Sequence, residues 1–178
     1  MYAKTVARAV AVCLVAVAGF VAWAAAGDQK VEKPQDPALE RAREQVRMLD
    51  DLYKTTVVLI TDKYVESADD YPAGSAAVAL FSAMKKKGWH DVRLVDATDD
   101  PIMENNSPQD DFEKLAVKQL KAGQPYLEEV VDQKGQRLLR AATPIPVVSK
   151  KCILCHPHYE AVKPGEPIGL LCYKIAIK

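Results

Sequence analysis

The sequence predicts an α+β fold, an antiparallel sheet covered on one side by helices. Three observations carry this reading. Apolar residues recur at helical spacing in the first half of the chain, two alternating runs flank a Lys134-Gly135 turn, and the last ten residues alternate again. The element order, two helices, a strand, a helix, a hairpin and a last strand, is that of an α+β chain.

A long first helix is expected from about Pro37 to Ser67, because Val46, Leu49, Tyr53, Val57, Ile60 and Tyr64 share one helical face. Met48, Leu52 and Leu59 form a second stripe beside it, so the apolar face is wider than one packing seam needs. The simpler reading is a broad core face. The other is that one stripe packs on the domain and the second on a bound group or a second copy of the chain, a homodimer through this helix. A second helix is expected over Pro72 to Lys87, with Ala76, Ala79, Leu80, Ala83 and Met84 along it and Gly88 as its stop.

Trp89 to Ala97 alternates as a strand, with His90, Val92 and Leu94 on one face and Asp91, Arg93 and Val95 on the other. A polar loop runs from Thr98 to Ser107. Ser107-Pro108 is expected to open a third helix, with Asp110 and Asp111 at its positive end and Gly123 after it. Tyr126 to Asp132 and Arg137 to Thr143 form a hairpin. The last strand, Ile168 to Ile177, puts Leu171, Tyr173, Ile175 and Ile177 on one face, and Cys172 with Lys174 on a more polar one.

The N-terminus has a different character. Lys4 and Arg8 precede an apolar stretch from Ala9 to Ala26 that ends in Ala24-Ala25-Ala26, small residues at the positions a signal peptidase reads. Residues 1–26 are therefore taken as a secretory signal, with an uncleaved membrane anchor as the rival reading. Residues 27–39 are a charged, Pro-containing tether, and 40–178 suit one domain. Without Lys4 and Arg8, 22 basic side chains face 24 acidic ones, a net charge of about −2. That argues against a nucleic-acid partner.

Cys152-Ile153-Leu154-Cys155-His156 is a C-x-x-C-H run, the attachment pattern of a covalent c-type haem. Two thiols separated by two residues span the vinyl groups on one edge of the porphyrin. The following imidazole then reaches the iron. Other readings are weaker. A structural zinc needs a second ligand pair, and His158 with Cys172 does not make one. A redox C-x-x-C would sit between a strand and a helix, whereas this run follows Pro144-Ile145-Pro146 and precedes Pro157. A disulfide across so small a loop is a weak staple. Covalent haem attachment in bacteria takes place outside the cytoplasmic membrane, so the run and the leader agree. Cys13 falls in the leader and Cys172 is left over.

The chain resembles the DUF3365 or Tll0287-like family of haem-binding domains. The carriers are the long first helix, "VRLVDAT", the loop through Asn106-Ser107-Pro108 to Phe112-Glu113, "LLRAATPIPVVSKKCILCHPHY" and "PGEPIGLLCYKIAIK". The resemblance spans roughly Leu39 to Lys178. It implies a PAS-like fold, one haem c on Cys152 and Cys155, and His156 as the proximal iron ligand. Some relatives supply a distal cysteine from the first helix. Here that helix has neither Cys nor His.

The sixth iron position stays open at this point. His90 lies on the apolar strand face and imidazole binds iron well. Met48 lies on the first helix, and Met84 and Met103 follow as further thioethers. Cys172, a water or no ligand complete the set, while His158 is too close in sequence to His156 to reach the opposite haem face. Arg137, Arg140, Lys150 and Lys151 are candidate propionate partners, and Tyr159 a candidate neighbour of the porphyrin edge. No nucleophile–base pattern or phosphate loop is present, and no motif assigns His90 or Glu104 an acid–base role, so an enzyme is not expected. The expected function is sensing of redox state or a small gas ligand, which requires a signalling or redox partner. Electron transfer is the alternative.

Overall fold

The computed structural model describes residues 36–178 apart from 68, 69 and 99. The expected leader and residues 27–35 of the tether lie outside the described residues. The described chain runs α1 (Pro37–Tyr64), α2 (Ala73–Lys86), β1 (Asp91–Asp96), α3 (Asp111–Lys121), β2 (Leu127–Gln133), β3 (Gln136–Pro146), α4 (Cys152–Cys155) and β4 (Pro167–Ala176). Short 3-10 turns cover Glu104–Asn106 and Pro157–Ala161. The four strands form one antiparallel sheet in the order β1-β4-β3-β2, so the fold is α+β.

The sheet is covered on both faces, not on one as the sequence suggested. Leu171, Tyr173 and Ile175 of β4 pack with Val46, Leu49 and Tyr53 of α1 and Phe81 of α2. Leu170 and Cys172, the alternate residues of the same strand, pack with Phe112, Ala116 and Leu120 of α3. A central strand buried on both sides explains why Cys172 is buried, although alternation with Lys174 had placed it on a polar face.

Asp36 caps α1 by accepting from the backbone N–H groups of Ala38 and Leu39, and Pro37 occupies the first turn. The first apolar stripe of α1 is buried at Val46, Leu49 and Tyr53. The second stripe is not core: Met48 is 60% exposed, and Leu52 and Leu59 are exposed with it. The broad-core reading of α1 therefore fails for that stripe. Asp110, not Ser107, caps the third helix, because its carboxylate accepts from the N–H of Glu113 while Ser107 closes the preceding 3-10 turn. Positive φ at Lys134 and Gly135 gives the two-residue turn between β2 and β3 its twist. β2 begins opposite Ala142, so Pro144 and Pro146 lie where β3 has β4 as its only strand neighbour and a missing N–H costs no ladder bond on the other side. A register shift at Ile145/Pro146 then releases the chain into the C-x-x-C-H segment.

Three of the motifs singled out in the sequence meet beside α3. Arg93 of "VRLVDAT" pairs with Glu113, its Nε 2.8 Å from a carboxylate that is 2% exposed. The same guanidinium donates to the carbonyl oxygens of Asn105 and Ser107. Arg140 of "LLRAATPIP" lies 4.3 Å over the Phe112 ring and pairs with Asp110. These contacts tie the irregular segment before α3 to the sheet.

Candidate functional site

A cavity of about 540 Å³ opens between α1, α2, the ends of β1, β3 and β4, and the segment that carries α4. That is the size of a small-molecule or cofactor site. Its walls are mostly apolar. Val57, Val58 and Thr61 come from α1, and Val78 and Phe81 from α2. The first turns of α2 contribute Ala73, Gly74 and Ser75, which leave room instead of filling it. Gly169 on β4 also lines the cavity; a Cβ there would meet the Val95 carbonyl oxygen of β1 at 3.1 Å, so the close approach of the neighbouring strand favours glycine. Ile102, Met103, Val148 and Leu154 are exposed large apolar residues that all line this cavity. A flat apolar ligand would cover them.

α4 is a single helical turn from Cys152 to Cys155. Residues three apart on a helix share a face, so both thiols address the same side, and both line the cavity as free cysteines. His156 ends the turn, its N–H donating to the Cys152 carbonyl oxygen at 3.1 Å. Its ring also lines the cavity. Burial, and then the neighbouring His158, push the His156 pKa down, which favours the neutral imidazole that binds metals. Its Nδ1 is buried without a hydrogen-bond partner. Tyr159 stacks on the His156 ring at 4.5 Å and 4°, and His158 meets both rings edge-on. Two neighbouring rings, Tyr159 and His158, thus fix the imidazole orientation.

Lys151 docks this segment onto α1. Its ammonium donates to the carbonyl oxygens of Asp62 and Val65, each at 2.8 Å, and so satisfies orphan carbonyls at the helix end. The residue before the first thiol is therefore the C-terminal cap of the helix that forms the opposite wall.

The donor set fits a haem better than a bare metal ion. Among the described residues no three His, Cys, Asp or Glu side chains gather as a metal-ion site. A c-type haem would take the two thiols at its edge and the imidazole at its iron, with apolar walls around it.

A family model described as Tll0287-like matches residues 30–167. The chain belongs to the Tll0287-like family. No curated protein matches it. The match includes α1, the Arg93–Glu113 pair and the whole C-x-x-C-H segment, and it ends at the start of β4. Membership agrees with the resemblance read from the sequence, which implied a family of haem-binding domains.

The other sequence candidates separate clearly in this Tll0287-like domain. His90 precedes β1 and does not line the cavity; its Nε2 lies 2.6 Å from the Tyr53 hydroxyl. Met48 points to solvent, and Met84 lies off the cavity. Cys172 sits on the α3 side of the sheet, where burial pushes its pKa up to about 12. Met103, ranked low in the sequence, does line the cavity. Of the candidate propionate partners, Arg137 pairs with Asp36 and Arg140 with Asp110 and Glu129, away from the cavity. Lys150 does not line it, and Lys151 lines it while capping α1. Lys54, which no sequence pattern marks, lines the cavity and bridges Asp50 and Thr143. The small-residue run Ala73 to Ala77 was the available signal for the α2 wall.

Proposed function

We propose that this chain is an exported monohaem c-type protein that senses redox state or a small gas ligand. One haem c is held by Cys152 and Cys155 through thioether bonds, with His156 as the proximal ligand. The observation that carries the reading is that these three side chains line one apolar cavity of about 540 Å³. When bound, the haem supplies an iron that changes oxidation state and accepts a further ligand. The residues of the chain orient it: Tyr159 and His158 fix the imidazole, Lys151 anchors the attachment segment to α1, and the α1 and α2 walls exclude water.

Sensing is favoured over electron transfer by the α1 wall. Tyr53, Lys54, Val57, Val58 and Thr61 face the cavity there; the Tyr53 hydroxyl is bonded to His90 and the Lys54 ammonium to Asp50 and Thr143, and the other three are not iron ligands of ordinary strength. A carrier wants two firm protein ligands. The test is the visible spectrum of the reduced full-length protein, exported in cells competent for haem attachment, before and after carbon monoxide. A shifted Soret band supports sensing. An unshifted band overturns it in favour of an electron carrier.

A further inference from the structure

We propose that Met103 supplies an exchangeable sixth ligand to a haem iron held by His156. The proposal rests on the haem reading of Cys152, Cys155 and His156, and it names the residue that governs access to the same site.

Besides that set, Thr61, Ser75, Asn106 and Ser149 offer only neutral hydroxyl or amide groups, weak donors to haem iron, and the cavity-lining side chains that carry a thioether, amine, carboxylate or phenol are Tyr53, Lys54, Asp96, Met103, Lys151 and Tyr159. All but one are engaged elsewhere. The Tyr53 hydroxyl lies 2.6 Å from His90 Nε2. Lys54 is held by Asp50 at 2.8 Å and Thr143 at 3.2 Å. The Asp96 carboxylate accepts from the N–H and hydroxyl of Thr98 at 2.8 and 2.9 Å. Lys151 caps α1. Tyr159 is stacked on the His156 ring and so belongs to the proximal side. Met103 has no such engagement. It is 51% exposed, yet it lines the cavity, an arrangement with little packing to lose if the thioether turns inward.

The backbone that carries it is held in place. The Met103 carbonyl oxygen accepts from the N–H of Asn106 at 2.8 Å. Arg93 then fastens the next residues by donating to the carbonyl oxygens of Asn105 and Ser107, and Glu113 fixes Arg93. The loop is anchored to the sheet, while the unbranched methionine side chain supplies the reach. Thioether is a soft, neutral ligand for haem iron and raises its potential when paired with His. Held by an irregular segment instead of a helix, it gives way to a stronger donor, as a sensor's sixth ligand must.

The test compares wild-type, M103L and M103H full-length proteins, exported with haem. Leucine conserves volume at an exposed position and removes the sulfur. The expected wild-type ferric spectrum is low-spin with the weak long-wavelength thioether-to-iron band. M103L loses that band and turns high-spin. If the thioether leaves about a tenth of wild-type molecules open, M103L binds carbon monoxide with about tenfold higher apparent affinity. M103H restores a low-spin spectrum and suppresses carbon monoxide binding. A coloured M103L protein with the wild-type spectrum and affinity overturns this proposal alone. Colourless proteins throughout overturn the haem reading, and this proposal with it.

Discussion

Replacing Glu113 by Gln isolates the contact that ties the site loop to the sheet. Glu113 is 2% exposed and accepts from Arg93 at 2.8 Å and from the Gln109 N–H at 2.8 Å. Glutamine keeps the volume and removes the charge. Breaking a buried pair by neutralising one partner costs roughly 3–5 kcal/mol, since the other charge stays in low dielectric. Arg93 is partly solvated and keeps two carbonyl acceptors, so the lower end applies, about 3 kcal/mol. For a domain of this size that corresponds to a melting-temperature drop of roughly 6–12 °C. Urea unfolding followed by far-UV circular dichroism measures it. The double variant R93M/E113M, with neither charge left buried, should recover more than half of the loss. A cost of E113Q under about 1 kcal/mol, or an R93M/E113M variant as unstable as R93M and E113M summed, would rule out an uncompensated buried charge as the source of the loss.

Two further outcomes follow from the same contacts. K151M removes both bonds to the α1 carbonyl oxygens while keeping the apolar stem, and should cost about 1–2 kcal/mol in urea unfolding; unchanged stability would deny that Lys151 caps the helix. Cys172, with its pKa raised from 9.0 to about 12, stays protonated in the folded chain while the unfolded chain ionises, so stability should fall by about 1.4 kcal/mol per pH unit as pH rises from about 9 toward 12. The variant C172A should lack that part of the alkaline slope, and an equal slope in both proteins would reject the assignment. Rapid labelling of Cys172 itself in the folded protein by a thiol reagent at pH 8 would contradict the burial.

Periodicity made the helices, the hairpin and the last strand legible, because each depends on neighbours in sequence. The C-x-x-C-H run was legible for the same reason, since its thiols and imidazole lie within five consecutive residues. What stayed hidden depends on tertiary placement. Covering of the second sheet face by α3 changes Cys172 from a half-polar position to a buried one. Exposure of Met48, Leu52 and Leu59 shows that an apolar stripe on a helix does not say whether the fold covers it. Nothing local in the sequence placed Lys151 at the end of α1 or Met103 at the cavity, because the carbonyls that one caps and the cavity that the other lines are formed by distant elements. The arginine and acidic residues of the family motifs were visible, but their pairing beside α3 was not.

Covalent haem on Cys152 and Cys155 is read out by intact-mass spectrometry of the full-length protein exported from cells with a haem-attachment system. The expected result is a denatured polypeptide heavier by one haem, with both thiols blocked to alkylation and the added mass lost in the variant C152A/C155A. A polypeptide of unmodified mass whose two thiols alkylate freely would contradict it.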